Sequence, residues 1–225
     1  MHRSQIDKPL LPLHKEMVGL FRQLFKKLDE KGYIRRGLSH GDREKLFKIM
    51  LMTGDFGQTF NYMWKLFDPQ NPNREYLWKK LDQIGLTDHH RAYLWIQTML
   101  SNYLVNVEAI FRFTFLFFLN ECFFTERGYK KSDMTVSSLL KALKKLYPPV
   151  QNLDKAFDTD LRNSLAHGSF WFENGRWCIT SDPHFKKVIC LELLEVMMKF
   201  KKANIVAMAF TDVLFEEINK GTFRA

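Results

Sequence analysis

Along most of this chain, apolar residues recur at the three- and four-residue spacing of amphipathic helices. In residues 13–31, LHKEMVGLFRQLFKKLDEK, one stripe holds Met17, Leu20, Phe21, Leu24, Phe25 and Leu28, and Gly32 closes the predicted helix. Asp42 is placed to cap a second helix over about 43–53, and helical spacing resumes after Gly54 in DFGQTFNYMWKLF. DPQNPN, residues 68–73, predicts a loop, and a short helix follows to Ile84 with Gly85 behind it. The longest helical pattern starts at Thr87 or Asp88 and runs to Phe124. From about Leu100 it is apolar around most of its circumference, as in a helix enclosed by others. Over 136–147, Leu139, Leu140, Leu143 and Leu146 share one face, while Lys141, Lys144 and Lys145 make a basic stripe on another, before Pro148-Pro149 stops the helix. Residues 150–167 repeat the pattern with Leu153, Phe157, Leu161 and Leu165.

After Gly168 the period drops to two. SFWFENGRWCIT has two aromatic-rich runs around Asn174-Gly175, which predicts a β-hairpin. A final helix is predicted over about 184–219. The expected fold class is all-α: a helical bundle with one small β-hairpin after the helix that ends at Gly168. An N-terminal helical region, 1–86, is expected to precede a core bundle, 87–225, with the boundary near 85–88. No internal repeat or low-complexity segment is evident.

Composition narrows the function classes. The chain has 225 residues, enough for a sizeable core without a disulfide or metal staple. Hydrophobic content of 46%, with 21 phenylalanines, excludes a disordered chain. A net charge of +9 favours a polyanionic partner, nucleic acid or an anionic membrane surface. Cys122, Cys178 and Cys190 are odd in number and lack paired CxxC spacing, so they are expected to be reduced thiols of a cytoplasmic protein. The N-terminus has no apolar stretch of signal-peptide length, and AIFRFTFLFFLNECFF is interrupted by Arg112, Asn120 and Glu121. A buried core helix, with no membrane partner, is the expectation. His89-His90 lacks carboxylate or cysteine partners at ligand spacing, and HExxH, Walker and GxSxG patterns are missing. No metal or cofactor is expected.

The candidate chemistry sits in DLRNSLAHGSFWF, residues 160–172. Arg162 and His167 are five residues apart, so on an ideal helix they point about 140° away from each other. Asn163 and His167, four apart, share a face. One straight helix therefore cannot bring guanidinium and imidazole together; a distorted helix end or a second copy of the motif is required. The structural alternative is an ordinary helix end, with cationic residues near the C-terminal dipole, a Gly168 cap, and Arg162 paired with Asp158. A second Arg/His pair with the same spacing, Arg35 and His40 in RRGLSHG, sits between glycines and has no Asn after its Arg.

RNSLAHG resembles the signature of HEPN domains, in which Arg is followed after four to six residues by His, with Asn after the Arg and Ala before the His. Arg162, Asn163, Ala166 and His167 match. NVEAIFRF, with Glu108 one turn before Arg112, is similar to the abortive-infection branch of that family. The resemblance covers about residues 90–215. It implies a homodimer whose two motifs form one composite site, and metal-independent cleavage of single-stranded or loop RNA to 2′,3′-cyclic phosphate products in a defence setting. Arg162, Asn163 and His167 would be catalytic. Glu108 and Arg112 would support them, with Glu108 either aiming Arg162 or pairing with Arg112. Lys141, Lys144, Lys145, Lys199, Lys201 and Lys202 are candidate contacts to the RNA backbone. An antitoxin or regulatory partner would fit such a protein. The alternative is a non-catalytic module of the same fold that binds RNA, a nucleotide or a protein. Phe170, Trp171, Phe172 and Trp177 are expected chiefly in core packing, and otherwise as stacking platforms for bases.

Overall fold

The computed structural model describes residues 10–49, 72–86, 88–174, 176–180, 182 and 184–219. The helix expected over 55–67, most of the 68–73 loop and the chain end near Gly221 lie outside them. Helix α1, Leu11–Glu30, buries all six residues of its predicted stripe, and Gly32 follows at φ +68°. Residues 40–49 form helix α2, and α3 spans Arg74–Gln83. The long apolar pattern begins as α4, Asp88–Leu104, then widens into a π-helical segment, Val105–Phe113, and returns to α5, Thr114–Phe118.

That pattern does not stay one helix to Phe124. Leu119 turns extended, and Asn120 caps a separate helix α6, Glu121–Arg127, by accepting from the Phe123 N–H at 3.2 Å. The cause is tertiary. The segment after α1 crosses here and takes the backbone groups, with Arg35 N–H donating to Phe118 O at 2.8 Å and Asn120 N–H to Tyr33 O at 2.9 Å. Helix α7, Val136–Leu146, follows, capped by Thr135. The helix expected over 150–167 is two pieces: a 3₁₀ segment, Pro148–Lys155, and α8, Thr159–Ala166. They part at Asp158, whose extended backbone and side-chain cap on the Leu161 N–H (2.9 Å) start α8 afresh.

The predicted hairpin forms from β1, Phe170–Glu173, and β2, Arg176–Ile179, with Glu173 opposite Arg176 and Asn174 at φ +49° in the turn. A third strand, β3, Ile189–Glu192, pairs antiparallel to β2, giving the order β1-β2-β3. This corrects the helix expected from residue 184; α9 runs only over Leu193–Asn219. Asp182 accounts for the difference: its carboxylate accepts from the N–H groups of His184 and Lys186, both at 2.9 Å, and folds that stretch into a turn.

The new strand also overturns the reduced-thiol expectation. Cys178 and Cys190 face each other across β2 and β3, with Cα atoms 4.0 Å apart, and are joined as a disulfide; Cys122 is free and exposed. The argument from reduced thiols to a cytoplasmic location thereby loses its premise. With a sequence separation of 12 the bond closes a short loop, worth about 2–3 kcal/mol in the unfolded chain. A reductant is expected to lower the unfolding free energy of the wild-type protein in urea titrations by that amount, and to leave a Cys178→Ala/Cys190→Ala variant unmoved.

The core crosses the boundary expected near 85–88. Phe21 and Phe25 of α1 pack on Phe210 of α9 at ring separations of 5.2 and 6.1 Å, and Phe115 stacks on Phe210 at 5.3 Å. Phe111 joins this cluster to Phe157 at 4.8 Å, just before α8. No described helix is long and apolar enough to cross a membrane.

Candidate functional site

Helix α8 is held at both ends and along its length. At its start, Asp158 accepts from Lys199 Nζ of α9 at 2.6 Å, and its carbonyl accepts from the hydroxyl of Tyr103 on α4 at 3.1 Å. Burial pushes the Tyr103 phenol well above its usual range. Burial acts to raise the Asp158 carboxyl too, but the N–H groups of Leu161 and Asp160 and the Lys199 ammonium more than offset it and hold it below the usual carboxylate range. A carboxyl lowered in the folded state stabilises fully above its unfolded value, and that contribution disappears as pH falls through the folded one. Asp158→Asn keeps a capping side chain but removes this charge. The variant is therefore expected to melt below wild type at neutral pH, with the gap closing in thermal scans as pH falls below the ordinary carboxylate range.

In the middle of α8, Arg162 turns inward. Its guanidinium makes a close ion pair with Glu108, and its Nη1 donates to Asn163 Oδ1 at 2.8 Å. The other Glu108 oxygen accepts from Arg112 Nη1 at 3.0 Å, and Arg112 Nε donates to the Met134 carbonyl at 2.6 Å. One carboxylate thus bridges two guanidiniums, and the three side chains are only 16–20% exposed. Both roles weighed for Glu108 are present together. Asp158 does not pair with Arg162; Lys199 takes it instead. Glu108 and Arg112 lie in the π segment, a wider turn of the kind often found at functional sites. Thr114 Oγ1 donates to the Ala109 carbonyl five residues back, at 3.1 Å, satisfying an acceptor there.

At its end, α8 closes in a Schellman motif: Ser169 N–H donates to Ser164 O at 2.8 Å and Gly168 N–H to Leu165 O at 3.4 Å, with Gly168 at φ +66°. A side chain at this φ would be strained, so the glycine is required by the turn. His167 is the C-cap residue, at φ −104° and ψ 3°, and its side chain is exposed. Its backbone N–H donates to Asn163 O at 3.0 Å, but its imidazole makes no hydrogen bond or ion pair among the described residues. Within one copy, then, the structure brings Arg162, Asn163, Glu108 and Arg112 together and leaves His167 outside that cluster. Asn163 is turned to Arg162 rather than to His167, with its amide N–H groups left to donate elsewhere.

The other candidates separate by environment. Lys141, Lys144 and Lys145 are exposed along α7; Lys201 and Lys202 on α9 are half-buried. Lys199 is committed to Asp158, which marks it as a tether of α8. Phe170 and Trp177 stack at 5.1 Å, with Trp177 buried, whereas Phe172 is exposed. Trp171 packs on Phe185 at 5.8 Å. In the other Arg/His pair, Arg35 is bonded to Asp42 at 3.0 Å and His40 is exposed. No group of three or more His, Cys, Asp or Glu side chains gathers at metal-binding distance among the described residues; the His89 side chain lies outside them.

Tyr103, Asp158, Lys199 and the Met134 carbonyl are part of the site although the motif does not point to them. Asp158, three residues before Leu161 and followed by Thr-Asp, did carry a capping signal; the others are long-range partners with no local signature. Comparison with family models, with characterised proteins and with solved structures finds no match.

Proposed function

We propose that the protein is a HEPN-type endoribonuclease that cleaves single-stranded or loop RNA by attack of a ribose 2′-oxygen on the adjacent phosphorus. The observation that carries this reading is the division of labour around α8. A guanidinium is fixed in place by Glu108 and Asn163, and one turn further on stands an imidazole with no partner among the described residues. His167 would accept the 2′-OH proton, or donate one to the leaving 5′-oxygen, since imidazole titrates closest to neutral pH. The 2′-oxygen forms a bond to phosphorus as the bond to the 5′-oxygen breaks, leaving a 2′,3′-cyclic phosphate and a 5′-hydroxyl. Arg162 would stabilise the charge that builds on the phosphoryl oxygens, with the Asn163 amide as a further donor.

Because His167 and Arg162 occupy different environments in one copy, the reading calls for two copies with their α8 ends face to face, so that each imidazole meets a phosphate held partly by its partner. The competing reading, a non-catalytic binding module, draws on the same ion pair: a guanidinium already satisfied by Glu108 can be purely structural. Labelled RNA incubated with the protein in excess chelator separates them. The enzyme gives cyclic-phosphate ends from RNA and none from DNA of the same sequence, which lacks the 2′-hydroxyl. Binding without cleavage by wild-type protein supports the module.

A further inference from the structure

The start of α8 borders a second feature that the motif does not use. A cleft of about 360 Å³ opens between α7 and α8, bordered by Ser137, Lys141, Lys144, Asp154, Asp158 and Thr159. Lys141 and Lys144 are one turn apart on α7, so their ammonium groups reach the same space. Lys141 has no ion pair or hydrogen bond among the described residues. Lys144 stands 3.9 Å from Asp154, beyond hydrogen-bonding distance, with the two side chains 48% and 54% exposed. Such a contact is weak and readily exchanged. The second carboxylate, Asp158, is already taken by Lys199 and by the Leu161 N–H, at 2.6 and 2.9 Å. Its cap occupies the amides that open α8, so the lysines are the cleft's available cations and the Ser137 and Thr159 hydroxyls its neutral donors.

Two exposed ammoniums and two hydroxyls around a small open volume suit a tetrahedral oxyanion with several acceptor atoms. α8 carries this cleft at one end and the RNSLAHG motif at the other. We propose that the cleft holds a backbone phosphate of the RNA strand being cut, a few nucleotides away from the scissile bond; this rests on the ribonuclease reading of the same helix. The eight residues of α8 span about 12 Å. At about 3.4 Å per stacked nucleotide, the held phosphate lies roughly three or four nucleotides from the cut. The site sets strand register and a minimum substrate length, and has no part in bond breaking. Asp154 competes with the strand for Lys144.

The test has a binding arm and a cleavage arm. In the first, a short uridine oligoribonucleotide is titrated into the His167→Ala protein, which keeps the strand intact, over a range of salt concentrations. Adding Lys141→Gln and Lys144→Gln is expected to weaken binding about fivefold at 0.1 M salt and to flatten the plot of log affinity against log salt by about 0.7, the value of one phosphate contact on a single strand. Asp154→Asn is expected to tighten binding. Equal melting temperatures show that the variants are folded. An unchanged salt slope in the double glutamine variant, or a preference for an acidic peptide over the oligonucleotide, overturns the site. In the cleavage arm, a neutral methylphosphonate is walked along the substrate of the wild-type enzyme. A drop in rate is expected when it stands three or four linkages from the cut, and Lys141→Gln should erase that position dependence. A rate indifferent to its position overturns the register. If RNA binds with the predicted lysine dependence but is never cut, the cleft stands as a phosphate site and the nuclease reading falls.

Discussion

Replacing His167 with alanine is expected to slow RNA cleavage about 10²–10⁴-fold, the usual contribution of a positioned general acid or base, while leaving the melting temperature within about a degree of wild type. The two halves of this expectation have separate grounds. The imidazole is exposed at the helix cap and has no partner among the described residues, so its removal opens no cavity and strands no buried group there. His167→Gln, which keeps a polar side chain but cannot take up a proton near neutral pH, should be as inactive as alanine. If cleavage survives in both variants at near wild-type rates, the imidazole has no part in the reaction. A mixture of Arg162→Ala and His167→Ala proteins adds a stricter check. Where two copies share a site, subunit exchange should restore some activity that neither variant has alone.

The second large effect falls on stability. Glu108→Ala is expected to cost about 3–5 kcal/mol, because it leaves two half-buried guanidiniums facing each other without the carboxylate that joins them. The loss would appear as a lowered urea midpoint. The cycle with Arg162→Met gives the diagnostic: removing the second charge relieves the repulsion, so the double variant should be more stable than the sum of the singles by about 1–3 kcal/mol. Strict additivity would mean that the ion pair carries little of the site's organisation. Activity should fall in Glu108→Ala as well, since only the Asn163 contact then aims Arg162. Glu108 is in this sense a positioning residue, and Glu108→Gln should recover more of the fold than of the rate.

What the sequence makes legible follows the range of the interactions. The α1 stripe, the α7 faces, the pairing of the two hairpin strands with Asn174 in the turn, and the Gly168 cap are decided within a few residues, and the structure has them where the spacing puts them. Most misreadings involve partners far along the chain; the break at Asp158, whose cap lies three residues away, is the exception. Residues 189–192, ICLE, have no strong period of their own and become a strand because β2 offers an open edge and Asp182 turns the chain toward it. With that strand unseen, Cys178 and Cys190 looked distant, although register places them opposite each other. The apolar run through Phe124 breaks at Asn120 because the 33–35 segment claims its backbone. At the site, the pairing of Glu108 with Arg162 links residues 54 apart, and spacing alone offered Arg112 as readily. The Lys199–Asp158 contact, 41 residues apart, was equally out of reach.

The swollen turn at 105–113 has a consequence for how this chain tolerates length changes. Such a segment behaves as an α-helix that has absorbed one surplus residue, and the surplus sets the rotational phase between everything before and after it. Excising a single residue there would rewind the coil and swing α4 by about 100° against α5. The carboxylate could then face the guanidinium only by carrying the phenylalanine cluster out of alignment. Insertions and deletions should therefore accumulate elsewhere, and the irregular turn itself should be among the parts of this fold least free to drift.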